Sequence, residues 1–553
     1  MADPNHVTLD ETKRRAGWIA SSSYGCYALL LIPIILFLGS LYIPPKMNLD
    51  SLVGFLVLHS MLGGGAFNCL TEPDPANIAN NIVTFLTIWS PGQYLVPGIF
   101  ISFGADFGLA LSLTALIATL IGLLGWIQVA RSFAVSSFVL FVFVLGLSTF
   151  SYVTLPFRNY TGGEVLLFAV APWSLYAMRW AANKPPILTL AISLLSVALL
   201  FFVKLTGLIV FAANVGAISL LALASQRRLS LSTLAMWVAS ATGLLCFIMF
   251  WVARGPVAAS ESTFTLSWFP FLFSLSGVAF SGISGFDFLE WSLGHPWIGI
   301  IRHPWVGIIS GLDPATIESL SHVLGPLGLL LIVWVWIRLR HTRYREMAAL
   351  LLTIILLYAI AMAGIYLRGR VLATATMSPE DRYFRYAGIL FFLLLLTAID
   401  QSRLPLAKSL AWILVVMLGL FGLKQSATGA LAQMRVSHAT YGIYQDIVSP
   451  AILDYLRSEV ARNSLQSPIA VVPSVLAGLS LPARFRILRN FTIEPLETTV
   501  PSEWAGRAER IFVIVPEETL LDGKAQAILR SFSGYRFDNW RQMKLDGMII
   551  YTQ

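Results

Sequence analysis

The chain has 553 residues, of which 57% are hydrophobic and only 12% charged, with a mean hydropathy of +0.75. That composition excludes an ordinary soluble domain and a disordered chain, and points to a polytopic membrane protein. The net charge of +8 comes from basic residues scattered singly at the ends of apolar runs. No basic stripe for nucleic acid exists, so no nucleic-acid partner is expected, and the scattered Lys and Arg read as topology signals.

From the N-terminus, the first apolar run starts near Tyr24 and is long enough to remain as a span, so no cleavable signal peptide is expected and residues 1–23 form a cytoplasmic segment. Spans of about 16–22 residues, the length a helix needs to cross the hydrocarbon, are expected at 24–44, 109–128, 134–153, 164–181, 186–203, 206–225, 232–253, 321–338, 347–367, 384–399 and 406–424. The apolar stretch 89–104, "WSPGQYLVPGIFISFG", is punctuated by Pro91 and Pro97 and reads as a helical hairpin or interfacial element. Lys13-Arg14-Arg15, Arg131, Arg179 with Lys184, Arg227-Arg228, the cluster from Arg338 to Arg345, and Arg403 with Lys408 mark alternate ends. The positive-inside rule then places the N-terminus in the cytoplasm and, after eleven spans, the C-terminus outside.

This orientation puts three long segments outside, 45–108, 254–320 and the tail 425–553, together with short turns at 154–163 and 368–383. The connections on the cytoplasmic side are brief, so chemistry is expected outside. The tail has helical spacing in "AILDYLRSEVARN" and "KAQAILRSF" and β-branched runs at 469–473, 511–516 and 547–552. That order predicts a small α/β domain. The expected architecture is therefore an all-α polytopic membrane protein of about eleven transmembrane helices spanning 24–424, with external loop helices and a C-terminal α/β domain. Cys26, Cys69 and Cys246 are too few and too separated for a disulfide framework or a CxxC metal site.

Two smaller features have bland readings that outweigh the sharp ones. The echo "HPWIGIIRHPWVGII" at His295 and His303 reads as an interfacial segment anchored by Trp297 and Trp305, in preference to a sugar or lipid platform. The triplets at Asn159 and Asn490 match the glycosylation sequon but carry meaning only in a eukaryotic secretory route.

The residues that carry chemistry lie at external ends. Asp50 opens an apolar-periodic stretch ending in Gly63-Gly64-Gly65, and is open to two readings, an N-cap or a functional acid. Glu164 stands in "RNYTGGEVLLFAV", Lys204 in "FFVKLTGLIV", and Arg382 and Arg385 in "SPEDRYFRYAGIL", where charge is crowded against an apolar run. From the residues alone, Arg382 has a local reading as a partner of Glu380 or Asp381, with Arg385 snorkelling to headgroups.

The order of these features resembles the polytopic C-type membrane glycosyltransferases, which include the dolichyl-phosphate-mannose protein mannosyltransferases and the bacterial aminoarabinose transferase of lipid A. Asp50, "MLGGG" (61–65), "SPGQYL" (90–95) and "FGADFGLAL" (103–111) resemble the acidic residue, Gly-ended helix, interfacial helix and paired FG turn of that family. Glu164, the Lys204-x-x-Gly207 element and "EDRYFRYAGIL" follow in the family's order over about 400 residues. The resemblance implies transfer of a sugar from a polyprenyl-phosphate donor to a lipid, glycan or protein acceptor, with inversion and Asp50 as general base. Glu164 is then a second catalytic-site residue that orients the acceptor or Asp50's partner, and Lys204, Arg382 and Arg385 bind the donor phosphate. Two departures stand out: Asp50-Ser51 replaces a pair of acids, and "IWSP" stands where the aminoarabinose transferase has "FEKP". Glu72 and Asp74 in "TEPDP" have two equal readings, substitutes as acceptor or metal ligands or members of a solvated Pro-rich turn, so a divalent metal such as Mg or Mn stays open. Membrane lipids are the surrounding partners, and a bacterial inner membrane with a periplasmic site is the expected location. The other class to weigh is a lipid-linked saccharide flippase or a non-catalytic assembly subunit, although the sequence holds none of the repeat symmetry a transporter would show.

Overall fold

The computed structural model describes residues 25–47, 49–87, 89–254, 269–284, 314–371, 381–402, 405–436, 438–440, 443–445, 449–463, 465, 467–473, 481, 484–490, 493–496, 498–500, 511–533 and 540–553. The segment 1–23, the echo at His295 and His303, and Phe491-Thr492 of the second sequon lie outside the described residues.

From the N-terminal side, α1 (Leu31–Ser40) leads to β1 (Lys46–Met47), α2 (Leu49–Leu62), a hairpin of β2 (Cys69–Asp74) and β3 (Asn77–Phe85), and α3 (Gly92–Ser102). Next come α4 (Phe107–Ser132), α5 (Ser137–Thr149), the single turn α6 (Ser151–Thr154), β4 (Asn159–Tyr160), α7 (Gly163–Ala181), α8 (Pro186–Val203), α9 (Gly207–Gln226) and α10 (Leu231–Phe250). The later bundle holds α11 (Phe269–Ser284), α12 (Pro314–Leu339), α13 (Arg345–Val371), a 3-10 turn Asp381–Phe384, α14 (Arg385–Asp400) and α15 (Pro405–Val436). Starts are set by local chemistry. Asp106 caps α4 by accepting from the Leu109 N–H at 2.7 Å, and Ser136 and Ser230 cap α5 and α10 in the same way.

A helix occupies each of the eleven stretches expected to span. Eight are long and apolar enough to cross a membrane, and α5 with its continuation, bent by 42°, makes a ninth. Of the other two, α1 has ten residues, and α7 has 19 but carries Glu164, Arg179 and an internal Pro172. The stretch 89–104 contains one short helix, α3, kept to 11 residues with Pro91 before it and Pro97 inside it. The chain is thus a multi-pass, all-α membrane bundle with a small α/β domain at its C-terminal end.

One bundle helix was not expected. α11 lies within 254–320, which reads as an external loop, yet it packs along α12 and against the 3-10 turn before α14. A Cβ on Gly325 or Gly328 of α12 would lie 2.8 Å from a carbonyl oxygen of α11, and one on Gly277 of α11 would lie 2.5 Å from the Phe384 ring. Small residues let these backbones approach, as membrane helix pairs require.

At one end of the bundle, β1 pairs in parallel with β4, Lys46 opposite Asn159 and Met47 opposite Tyr160, so the entry to α2 is tied to the loop that precedes α7. The C-terminal domain sits at the same end. Its elements are α16 (Pro450–Arg462), β5 (Ile469–Val472), β6 (Arg486–Arg489), β7 (Ile511–Pro516), α17 (Lys524–Arg530), β8 (Arg541–Leu545) and β9 (Met548–Thr552). The sheet order is β8-β9-β7-β5-β6, with β7-β5 and β5-β6 parallel and the other two pairs antiparallel. Alternate residues face opposite ways. Ala470, Val472, Phe512 and Ile514 share a core with Leu453 and Leu456 of α16, whereas Ile469, Val471, Ile511 and Val513 share one with Ile528 and Leu529 of α17.

The hairpin β2-β3 joins this domain to the bundle. Ile78 at its tip is fully buried in the α17-side core. Arg486 of β6 donates to the carbonyls of Ile78 and Asn80 at 2.9 and 2.6 Å, and Thr499 donates its backbone N–H to the Pro75 carbonyl at 2.9 Å.

Candidate active site

Three tight approaches bring Glu164 and Lys204 together. Gly162 adopts φ +70° in the turn before α7, a left-handed conformation that glycine accepts without strain. A Cβ on Gly163 would lie 2.6 Å from the Val203 carbonyl and 3.2 Å from Lys204 Cβ, so only glycine allows α7 to start against the end of α8. A Cβ on Gly207 would lie 2.2 Å from the Leu200 carbonyl, which fixes the three-residue break Lys204-Leu205-Thr206 between α8 and α9. Lys204 leaves the helix in extended geometry, and its Nζ donates to Glu164 Oε1 at 2.7 Å.

Arg382 comes from the opposite half of the chain. Its Nη1 lies 3.5 Å from the same Glu164 oxygen, so the local pairing with Glu380 or Asp381 is not needed to account for it. The side chains of Glu380 and Asp381 lie outside the described residues. The turn that carries Arg382 is 3-10, in which residues three apart eclipse, so Arg382 and Arg385 lie on one side even though α14 begins only at Arg385. Buried tyrosines pin this turn: Tyr358 donates to the Tyr383 carbonyl at 2.5 Å, and Tyr386 donates to Asn214 Oδ1 at 2.7 Å. The Tyr383 ring stacks under both Lys204 Nζ, at 4.8 Å, and the Arg382 guanidinium, at 5.2 Å. Arg385 lies over the Tyr152 ring at 5.6 Å, with its Nε buried and without a hydrogen-bond partner among the described residues.

Charged side chains of both signs are held out of water here. Side-chain exposure is only 7% for Glu164, 13% for Lys204 and 10% for Arg382. Lys204 and Arg382 both pair with Glu164, and Arg385 lies on the same side of the turn. Burial pulls the Lys204 ammonium below its ordinary range, Glu164 pulls it back, and Arg382 and Arg385 push it down again. Cations held out of water at this density call for an anion.

A cavity of about 460 Å³ opens from this cluster along α8, α9, α10 and α13. Its long part is apolar, with Val203, Leu208, Ile209, Leu244, Phe247 and Ile365. Its polar lining carries Ser90, Gln93, Thr161 and Thr206 besides Glu164, Lys204 and Arg382. The Ser90, Thr161 and Thr206 hydroxyls are buried without a hydrogen-bond partner among the described residues. These four polar residues were not singled out in the sequence, although "SPGQYL", "NYTGGE" and "KLTG" contain them; a lone hydroxyl has no spacing signature.

Asp50 is the second residue of α2, so it falls inside the first turn and not at the cap. Its side chain lies outside the described residues. Its neighbour Ser51 donates to the Tyr160 carbonyl at 3.4 Å, and a Cβ on Gly162 would lie 2.8 Å from Ser51 Oγ. The backbone at Asp50 therefore lies beside the turn that presents Glu164. Glu72 and Asp74 are elsewhere. Both Glu72 carboxylate oxygens are held by Arg489 of β6, one of them by Nη2 at 2.6 Å, and Asp74 Oδ1 accepts from the Ala76 N–H at 2.9 Å within the hairpin turn. No group of three His, Cys, Asp or Glu gathers among the described residues.

No family model and no curated protein match the chain. Among solved structures it is similar to ArnT from Cupriavidus metallidurans bound to undecaprenyl phosphate, at 13% identity and a TM-score of 0.40, over 95% of this chain and 97% of that one. It is also similar to the arabinofuranosyltransferase AftD from Mycobacteria, at 13% identity and a TM-score of 0.45, over 95% of this chain but 41% of the other. Likenesses of this size carry no inference about chemistry, which has to come from the residues of the site.

Proposed function

We propose that this protein is a membrane glycosyltransferase that moves a sugar from a polyprenyl-phosphate donor to an acceptor on the face where the C-terminal domain sits. One observation carries the reading: an apolar cavity walled by membrane helices carries two largely buried cations, Lys204 and Arg382, against one carboxylate, Glu164, with Arg385 beside them on the same turn. A ligand matching that profile has a hydrocarbon chain and an anionic, oxygen-rich head, which is the chemistry of a lipid phosphate sugar. Arg382 and Arg385 hold phosphate oxygens, and Lys204 adds a third positive charge that stabilises the leaving phosphate. Glu164 keeps Lys204 and Arg382 in place between turnovers, a positioning role in preference to direct contact with the acceptor. The hydroxyls of Ser90, Thr161 and Thr206, without a partner among the described residues, supply hydrogen bonds to the head.

Asp50 is the general base in this scheme. It removes the acceptor hydroxyl proton as that oxygen bonds to the anomeric carbon, the sugar–phosphate bond breaks on the opposite face, and the electron pair leaves with the phosphate. The configuration inverts in one displacement. The donor half is tested by titrating the purified protein with undecaprenyl phosphate. Binding is expected for the wild type and loss for Arg382→Gln combined with Arg385→Gln; equal binding by both proteins would remove the cluster's assigned role.

A further inference from the structure

A second cavity, of about 320 Å³, lies between the end of α2, the hairpin β2-β3 and strand β6 of the C-terminal domain. Its floor is apolar, with Leu56, Phe485 and Ile487, and its rim carries His59, Ser60, Thr71, Asn81 and Ser467. The rim is fixed in place. His59 Nε2 contacts the Leu481 carbonyl at 3.2 Å, and Ser60 Oγ accepts from the Thr71 N–H at 3.2 Å. Gly65 shapes the wall, because a Cβ there would lie 2.8 Å from the Ser60 carbonyl.

The charges in this cavity do not cancel. Glu72 is its one carboxylate, and Arg489 already neutralises it through both oxygens. Arg486 is turned to the carbonyls of Ile78 and Asn80 and to Asn81 Oδ1. Arg484 stands exposed at the mouth and makes no ion pair among the described residues. Apolar side chains lining the same cavity as hydroxyl and amide groups suit a sugar ring, which has one apolar face and hydroxyls at its edge. An added guanidinium suits a carboxylate or phosphate on that sugar. The cavity lies along α2 from Asp50. Ser60 is ten residues further on, a rise of about 15 Å.

From this placement we infer that the second cavity binds an anionic saccharide segment of the acceptor, and that the acceptor is an extended, charged glycan reaching from Arg484 to the reaction centre. The assignment to an acceptor rests on the glycosyl-transfer reading, whereas the binding itself is independent of it. An acceptor of one or two sugars does not cover the span along α2.

The test uses the full chain in detergent and isothermal titration with three probes: hexagalacturonate, neutral maltohexaose and hexaglutamate. Hexagalacturonate is expected to bind at least tenfold more tightly than either other probe, and Arg484→Gln, at an exposed position, is expected to weaken it about tenfold. Binding is also expected to fall as salt rises. Absence of hexagalacturonate binding, equal binding of hexaglutamate, or an unchanged affinity in Arg484→Gln would each overturn the proposal. Undecaprenyl phosphate is titrated on the same preparation. If hexagalacturonate binds in an Arg484-dependent way and the lipid phosphate does not, the saccharide site stands and the transferase reading falls.

Discussion

The cavity that ends on Glu164, Lys204 and Arg382 is walled by α8, α9, α10 and α13, so its shape follows from how the bundle packs. The cavity beside Arg484 has walls from opposite ends of the chain, a hairpin near residue 75 and a strand near residue 487, and exists only where the C-terminal domain docks. The first has a long apolar wall with buried cations at one end, and the second has a polar rim over an apolar floor. One end of the molecule thus presents a site suited to a lipid with a charged head and another suited to a water-soluble charged chain. Glycosyl transfer from a membrane-bound donor to a hydrophilic acceptor needs both.

Substitutions that act on one cavity alone sharpen this contrast. Arg382→Gln removes one of the two cations paired with Glu164. Donor affinity is expected to fall about 100-fold, the scale for truncating one member of a buried, hydrogen-bonded charge pair, while hexagalacturonate binding stays as in the wild type. Loss of both together, with an unchanged melting temperature, would show that the two cavities are not separate. Ile78→Ala empties a position at the hairpin tip inside the domain core. The docked state is expected to lose about 2–3 kcal/mol, seen as faster hydrogen exchange in β3 and β6 but not in α8 or α9. Arg489→Gln leaves Glu72 without its bidentate partner at a partly exposed site, and about 1 kcal/mol of docking is expected to go, read by limited proteolysis of the hairpin. A change in donor affinity in either docking variant would break the comparison.

The bundle was legible because its signal is composition over about 20 residues, and every expected span holds a helix. α11 was missed because its residues, "FPFLFSLSGVAFSGIS", are interleaved with Gly, Ser and Pro. In the tail, the buried runs β5, β7 and β9 and both long helices stood out. β6 and β8 did not, because "RILR" and "RQMKL" carry Arg and Lys at alternate or end positions and show no continuous apolar run. Glu164, Lys204, Arg382 and Arg385 were visible singly, as charges at the edges of apolar runs. Their convergence across up to 221 positions was not visible, since it depends on helix packing and on the close approaches at Gly163 and Gly207. The Glu72–Arg489 pair, 417 residues apart, has no local trace at all.

The central claim is that donor lipid, cation cluster and Asp50 form one transfer site. Radiolabelled sugar presented on undecaprenyl phosphate to membranes carrying wild type or Asp50→Asn, at matched protein level and with an acceptor fraction present, tests it directly. Transfer is expected from the wild type, with a fall of roughly 10²–10⁴-fold in the variant, the range for loss of a general base. Equal transfer by the two proteins, or none by the wild type, would contradict it.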